Sequence, residues 1–364
     1  MSNYLTTTPA QDDFHMPGEH EPHAEIWLGW PERTDTWPWG AKPAQHAFAE
    51  VANTIAEFTA TTVAASARQY DNARSQLKPS VRVLEMSLND CWFRDTGPTY
   101  VVNDKGERRA VSWQFNAWGG FVNGLYSPWH HDDRVAEKIA NSYRDDIYRA
   151  PFVLEGGSIH CDGEGTVYTT KECLLHPGRN PQLHQQQIEV LLKSYLGAKK
   201  VIWLDQGLYA DEDTNGHIDN LMHVVRPGEI ILSWCSDEND PQYAISQAAY
   251  NLLNSCTDAK NRRLSIHKIP TPPPMTISEK TAAGFDRCAG MERGAGTRLA
   301  ASYANFLISN DVVVFPLLAK QTDAEARAVL QQCFPSRQVI GVAAKAIVMG
   351  GGNIHCITQQ IPAI

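Results

Sequence analysis

A tight turn between two apolar strands recurs five times along this chain, and no other feature constrains its fold as strongly. RDTGPTYVVNDKGERRAVSWQF (94–115) turns at Asn103–Gly106, EGGSIHCDGEGTVYTT (155–170) at Asp162–Gly165, and GHIDNLMHVVRPGEIILSW (216–234) at Pro227–Gly228. ASYANFLISNDVVVFPL (301–317) turns at Asn310–Asp311, and GGGNIHCITQQIP (350–362) is a fifth copy cut off by the chain end. Asn, Asp and Gly at these turns are the residues that two-stranded hairpins demand. Helical stretches lie between the hairpins at 132–143, 181–196, 241–256 and 322–333. Short strands complete the units: RVLEM (82–86), KVIWL (200–204), SIHKIP (265–270), QVIGV (338–342) and the weaker DIYRAP (146–151). The period of roughly 55–85 residues is longer than that of the commoner repeat arrays.

The two chain ends fit together in this pattern. Near the start, EIWLGWP (25–31) reads as a strand and 43–58 as a helix opened by Pro43, with Phe48, Val51, Ile55 and Phe58 at helical spacing. A second strand follows at 61–66. Joined to the incomplete C-terminal copy, these elements make a fifth unit. The expectation is therefore an α/β fold of five ββαβ modules, a five-fold pseudosymmetric ring closed by N- and C-terminal segments that share one module. Residues 1–364 then form one domain, with 1–24 as an extended polar arm. Closure removes an exposed sheet edge. An open α/β sandwich with chance hairpin similarity is the alternative.

Charge and composition narrow the partners. Thirty-two basic and 41 acidic residues leave a net charge of −9, so nucleic acid is not expected as a partner and a small cation is compatible. With 43% hydrophobic and 20% charged residues the chain is globular. No run approaches the ~18 apolar residues of a membrane helix, and the first residues lack the basic and apolar regions of a secretory signal. A cytoplasmic protein is expected, with no membrane partner. The eight cysteines include no C-x-x-C pair, which argues against a zinc ribbon or thioredoxin motif; they read as reduced thiols, most of them buried.

In four of the five hairpins the first strand is expected to present a chemically capable residue at one equivalent place: Asp95, Glu155, His217 and Cys356. Asp219 shares the strand face of His217, because i and i+2 point the same way. In a ring, equivalent positions converge on the axis, so one thiol, one imidazole and three carboxylates would line one cavity. Each has a blander reading. Cys356 could be one more buried cysteine, although GGGNIHC lets a backbone approach a ligand closely. His217 could be a satisfied core histidine, or a metal ligand with Asp219 and His223. Buried Glu155 needs a partner, either an arginine or the His217 ring. Asp95 could pair with Arg94 or make an Asx turn, or it could face the cavity beside Trp92. As a chemical set, three acids with a histidine and a thiol suit a planar cation. A guanidinium presents five donors to carboxylates, and its carbon then lies within reach of a thiolate.

The segments MPGEHEPHAEIWLGWPER, NDCWFRDTGP, FNAWGG, EGGSIHCDGEGT, GRNPQL, TNGHIDN, ASYANFLISNDVVVFP and GGGNIHCITQQIP, spanning about residues 10–363, resemble the guanidine-modifying α/β-propeller (pentein) superfamily, and within it the agmatine deiminases. The resemblance implies a five-bladed propeller. It also implies hydrolysis of agmatine to N-carbamoylputrescine and ammonia without metal or cofactor, a step of arginine-derived polyamine (putrescine) metabolism. It places the nucleophile on Cys356, the acid/base on His217 and the His-orienting acid on Glu155. Asp95 and Asp219 become the guanidinium-binding acids and Trp92 an aromatic wall. The acidic loop ADEDTNGH, with Asp213 in it, fits recognition of the distal amine; family members carry Glu at the position of Asp213. A homo-oligomer is expected. Nothing is assigned to 286–300.

Overall fold

The computed structural model describes residues 2–288, 290–291 and 293–364. It is a mixed α/β structure with five separate sheets. Four of them repeat one plan: an antiparallel hairpin, a helix, and a third strand that returns parallel to the second. Thr99–Val102 and Arg108–Gln114 form the first hairpin, and after the helix Val135–Tyr143 the strand Ile147–Val153 adds in parallel. Ile159–Cys161, Thr166–Thr170 and Lys200–Leu204 repeat the order around the helix Gln185–Leu196. Met222–Arg226, Glu229–Trp234 and Ser265–Pro270 do so around Pro241–Ser255. Leu307–Ile308, Val312–Leu317 and Gln338–Ala343 do so around Lys320–Cys333.

The fifth sheet is assembled from both ends of the chain. Thr358–Pro362 pairs antiparallel with His23–Gly29, which carries Thr61–Ala65 and then Arg82–Glu85 in parallel. Before these elements, Tyr4–Leu5 adds to the sheet of Ile147–Val153, and a single 3-10 turn covers Pro9–Asp12. The arm does not stay outside: Glu19 and His23 are buried.

Local chemistry explains these elements. The helix Lys42–Ile55 buries Phe48, Val51 and Ile55 on one face. Asp240 caps Pro241–Ser255 by accepting a hydrogen bond from the Gln242 N–H, and Pro241 occupies the first turn, where no N–H is needed. Val312–Leu317 is buried along nearly its whole length, as a strand covered on both faces must be. Among the described residues no helix is long and apolar enough to cross a membrane.

Candidate active site

The expected site residues lie on short helical turns, not on the first strands of the hairpins. Asp95 is in the turn Phe93–Thr96, ahead of Thr99–Val102, and Glu155 immediately precedes the turn Gly156–Ser158. His217 caps Ile218–Leu221, which carries Asp219, and Cys356 sits in the turn leading into Thr358–Pro362. The strand-alternation argument for His217 and Asp219 is therefore corrected: the backbone at 217–221 coils before it extends. A helical turn aims several polar side chains at one point and offers no ladder to a neighbouring sheet.

The structure nevertheless brings these side chains together. Three of them surround Gly157, where a β-carbon would stand 2.6 Å from His217 Nδ1, 2.8 Å from Asp95 Oδ1 and 3.1 Å from Asp219 Oδ2. No larger residue fits there. Asp95 accepts hydrogen bonds from the Gly157 N–H (2.8 Å) and from Trp118 Nε1 (2.9 Å). Arg94, its sequence neighbour, points the other way. The Cys356 thiol lies 3.6 Å from Asp219 Oδ2 and receives an N–H from Asn305 Nδ2 at 3.1 Å. Asp95 and Cys356 open onto a cavity of about 270 Å³ walled by Trp92, Trp118, Asp213 and the backbone of Gly350–Gly352. Trp92 is braced by stacking on Trp37, with centroids 5.1 Å apart. The glycine run lets this wall close. Gly351 has φ +105°, and a β-carbon on it would lie 2.1 Å from Asp213 Oδ2.

Glu155 uses both of the partners open to it. Its Oε1 accepts a 2.9 Å hydrogen bond from Arg179 Nε, and its Oε2 lies 3.6 Å from His217 Nε2, an ion-pair distance longer than a hydrogen bond. His217 Nδ1 is 3.8 Å from Asp95 Oδ1. Arg179 is itself fully buried. It also bonds the Trp118 carbonyl and Asn215 Oδ1, and it reaches the Thr214 carbonyl at 2.9 Å. One guanidinium thus ties Glu155 to the cavity wall and to the loop that leads into His217.

These contacts set the protonation states. Burial opposes a charge on His217, but Asp95, Cys173 and Glu155 outweigh it and hold the imidazole well above its usual pKa. Burial would raise Glu155, yet Arg179 and His217 pull it below the usual carboxylate range. Asp219 is lowered in the same way, against burial, by His355 and His217. Asp95 is pushed up to about 6 by burial, which His217 counters and the Asp219 and Glu155 charges reinforce. Burial, with Asp219 and Asp95, drives the Cys356 thiol well above its ordinary pKa. The sulfur is accordingly a neutral thiol facing carboxylates.

The acidic loop divides. Asp211 turns inward, accepting hydrogen bonds from Thr214 Oγ1 (2.7 Å), the His217 N–H (3.1 Å) and Asn220 Nδ2 (3.0 Å). Glu212 is exposed. Asp213 lines the cavity and pairs with Arg293 at 2.7 Å, and Arg293 also donates to the Gly350 carbonyl at 2.8 Å. Arg293 comes from 286–300, the stretch to which the sequence assigned nothing; residues 289 and 292 of it lie outside the described residues. The metal alternative divides as well. His217 groups with Glu155 and Cys173, whereas His223 groups with Glu19, His160 and His355. Trp118, Arg179, Asn305 and Arg293 were not singled out from the sequence. Trp118 and Arg179 lie in the quoted segments FNAWGG and GRNPQL, and Asn305 in ASYANF, so a signal existed without a role attached to it.

The family model for Porphyromonas-type peptidyl-arginine deiminase matches residues 15–362. A protein of Photobacterium profundum is 58% identical over the whole of both chains. The agmatine deiminase of Ectopseudomonas mendocina is 54% identical, covering 99% of this chain and 98% of its own. The solved structure of the Enterococcus faecalis agmatine deiminase superposes with a TM-score of 0.97 at 47% identity, covering 100% of each chain. The chain belongs to the Porphyromonas-type peptidyl-arginine deiminase family, and its full length is similar to agmatine deiminases.

Proposed function

We propose that this chain is an agmatine deiminase, hydrolysing agmatine to N-carbamoylputrescine and ammonia through an amidino-cysteine intermediate. The observation that carries the reading is the chain of contacts that joins Cys356 to Asp219, gathers Asp219, Asp95 and His217 about Gly157, and sets Glu155 beside His217, in a chain that matches agmatine deiminases over its full length.

Asp95 and Asp219 flank Gly157 and accept the guanidinium N–H groups, between the indole walls of Trp92 and Trp118. The substrate's charge offsets the carboxylates that keep Cys356 protonated, so binding itself favours the thiolate, and the thiol proton is released to solvent. The sulfur then attacks the guanidinium carbon and forms a C–S bond. The C–N bond breaks as His217, held protonated, gives its proton to the departing nitrogen, which leaves as ammonia. His217, now neutral, takes a proton from water as the oxygen adds to the amidino carbon. The C–S bond breaks, and the thiolate departs from the ureido product. Glu155, clamped by Arg179, keeps the imidazole charged and oriented. Asp213, held at the mouth by Arg293, faces the distal ammonium and disfavours the α-carboxylate of arginine.

The five sheets and the pairing of the first and last long strands support a five-bladed propeller in which both termini share one module, a single catalytic domain over 1–364. The same reading makes the protein a cytoplasmic homo-oligomer acting on a small soluble cation, with neither nucleic acid nor membrane as partner. The test is mass spectrometry of products when agmatine and arginine are offered together. N-carbamoylputrescine without citrulline is expected; citrulline in comparable yield would refute the substrate assignment.

A further inference from the structure

The sequence neighbours of the site residues build a second polar cluster behind it. Arg94 adjoins Asp95, Gly156 adjoins Glu155, and His355 adjoins Cys356, yet all three line a separate cavity of about 330 Å³ that also receives Glu19 and His160. His355 connects the two sides. Its Nδ1 lies 2.7 Å from Asp219 Oδ2, and its Nε2 lies 2.7 Å from Glu19 Oε2. An imidazole can donate to two carboxylates at once only with a proton on each nitrogen, as the imidazolium. Glu19 is anchored in turn by the Ile308 N–H at 2.9 Å, with Arg94 Nη2 and His223 Nε2 each 3.6 Å away. The same Asp219 Oδ2 is the oxygen 3.6 Å from the Cys356 thiol, and Asp219 Oδ1 is buried with no hydrogen-bond partner among the described residues. A buried carboxylate oxygen left unpaired is costly, and here it belongs to a group that faces Cys356.

We infer that His355 and Glu19 are positioning residues for Asp219: a buried imidazolium held between two carboxylates fixes the Asp219 carboxylate beside the Cys356 thiol, where it meets the substrate guanidinium. The inference rests on the reading of Asp219 as a guanidinium-binding acid. It explains why a histidine directly precedes the cysteine, and why the N-terminal arm enters the interior at Glu19. Without the clamp, Asp219 would stand with Asp95 and Glu155 in one buried space and would relieve the repulsion by taking up a proton.

The surrounding charges set the pH range of the clamp. Burial and Arg94 oppose the charge on His355, and Glu19 and Asp219 outweigh them, so its pKa lies above the ordinary histidine value. His160 and His223 are driven down, chiefly by burial, and stay neutral. His23 and Arg337 reach the cluster through Glu19. A raised histidine keeps its proton at low and neutral pH and loses it as pH rises through the folded value. The hold on Asp219 is therefore present below the ordinary histidine value and is lost as pH rises through the raised one. The ligand atoms of Glu19, His160, His223 and His355 also lie within 4.8 Å of one another, as a metal site would require. Two features favour a proton over an ion. Ligands of one zinc at ~2.0–2.1 Å stand about 3.3 Å apart, wider than the His355–Glu19 contact. The Arg94 guanidinium beside Glu19 opposes a dication.

The test uses Glu19→Gln, which preserves shape and removes one arm of the clamp, with Glu19→Asp as the conservative control. In Glu19→Gln, KM for agmatine should rise about tenfold at pH 8 with kcat within about threefold, and the alkaline rise of KM should begin about one pH unit lower than in the native protein. Glu19→Asp should restore most of the native profile. Histidine ¹⁵N spectra of the native protein at pH 7 should show His355 with both nitrogens protonated, a readout that does not depend on turnover. Superimposable KM–pH profiles, or a neutral His355 in the native protein, would overturn the inference. So would one zinc per chain bound by the native protein and lost in Glu19→Gln. Absence of agmatine turnover in the native protein would instead remove the proposed function and leave the His355 spectrum to decide whether the clamp exists.

Discussion

Replacing Arg179 with leucine tests the architecture at its most heavily loaded point. The guanidinium is wholly buried, pairs with buried Glu155 at 2.9 Å, and satisfies the carbonyls of Trp118 and Thr214. Removing one member of a buried ion pair costs about 3–5 kcal/mol, and two orphaned carbonyls push toward the upper end of that range. Against a typical total of about 5–15 kcal/mol, the variant would be severely weakened. The loss has a pH signature. In the native protein Glu155 is held below the usual carboxylate range, so its pairing stabilises the fold at neutral pH and is lost only as pH falls through that depressed value. In Arg179→Leu the carboxylate is under-compensated and gains by taking up a proton, so the defect should shrink between pH 7.5 and pH 5.5. Turnover should fall at least ~100-fold, because a protonated Glu155 no longer keeps His217 charged. Urea denaturation followed by tryptophan fluorescence at both pH values measures the first effect, and ammonia release measures the second. Adding Glu155→Gln should recover much of the stability and none of the activity. A defect below 1 kcal/mol at pH 7.5, or one equal at the two pH values, would refute the argument.

Other outcomes follow from the same geometry. Cys356→Ser should abolish turnover with the fold intact, and a chloroacetamidine should label Cys356 ahead of the other thiols; native-like activity would remove it as nucleophile. Asp95, raised to about 6, holds a proton in the folded chain that the unfolded chain releases near 4, so its contribution to stability falls as pH rises through that window. Agmatine binding to Cys356→Ser should weaken about tenfold per unit below pH 6, as the carboxylate that holds the guanidinium is protonated; flat binding down to pH 4.5 would contradict this. Asp213 keeps 22% side-chain exposure, so Asp213→Asn should raise KM for agmatine only about fivefold with kcat nearly unchanged, and an unchanged KM would remove it from substrate recognition. EDTA should leave turnover unaffected, and inactivation reversed by zinc would give a chemical role to the Glu155, Cys173 and His217 group.

What the chain determines locally was legible before any coordinates. Hairpin turns and the apolar spacing of Phe48, Val51 and Ile55 act over a few residues, and the structure places elements where these signals lie. The repeating plan also puts Asp95, Glu155, His217 and Cys356 in one set, as the residues at one equivalent place of four hairpins, with Asp219 two residues after His217. Their local geometry was misread as strand, since a single helical turn beside glycines leaves no periodicity to detect. The charge balance of the site was decided by tertiary structure alone. Glu155 meets Arg179 across 24 residues, Asp95 meets Trp118 across 23, Cys356 meets Asn305 across 51, and His355 meets Glu19 across 336. The sequence marks Asp213 only as part of an acidic loop that fits the distal amine, and the fold sets Arg293 against it. A sequence can show which residues are able to carry charge. Which of them are neutralised, and by what, depends on a desolvation cost that exists only once the chain has closed around them and each buried group has to find its partner.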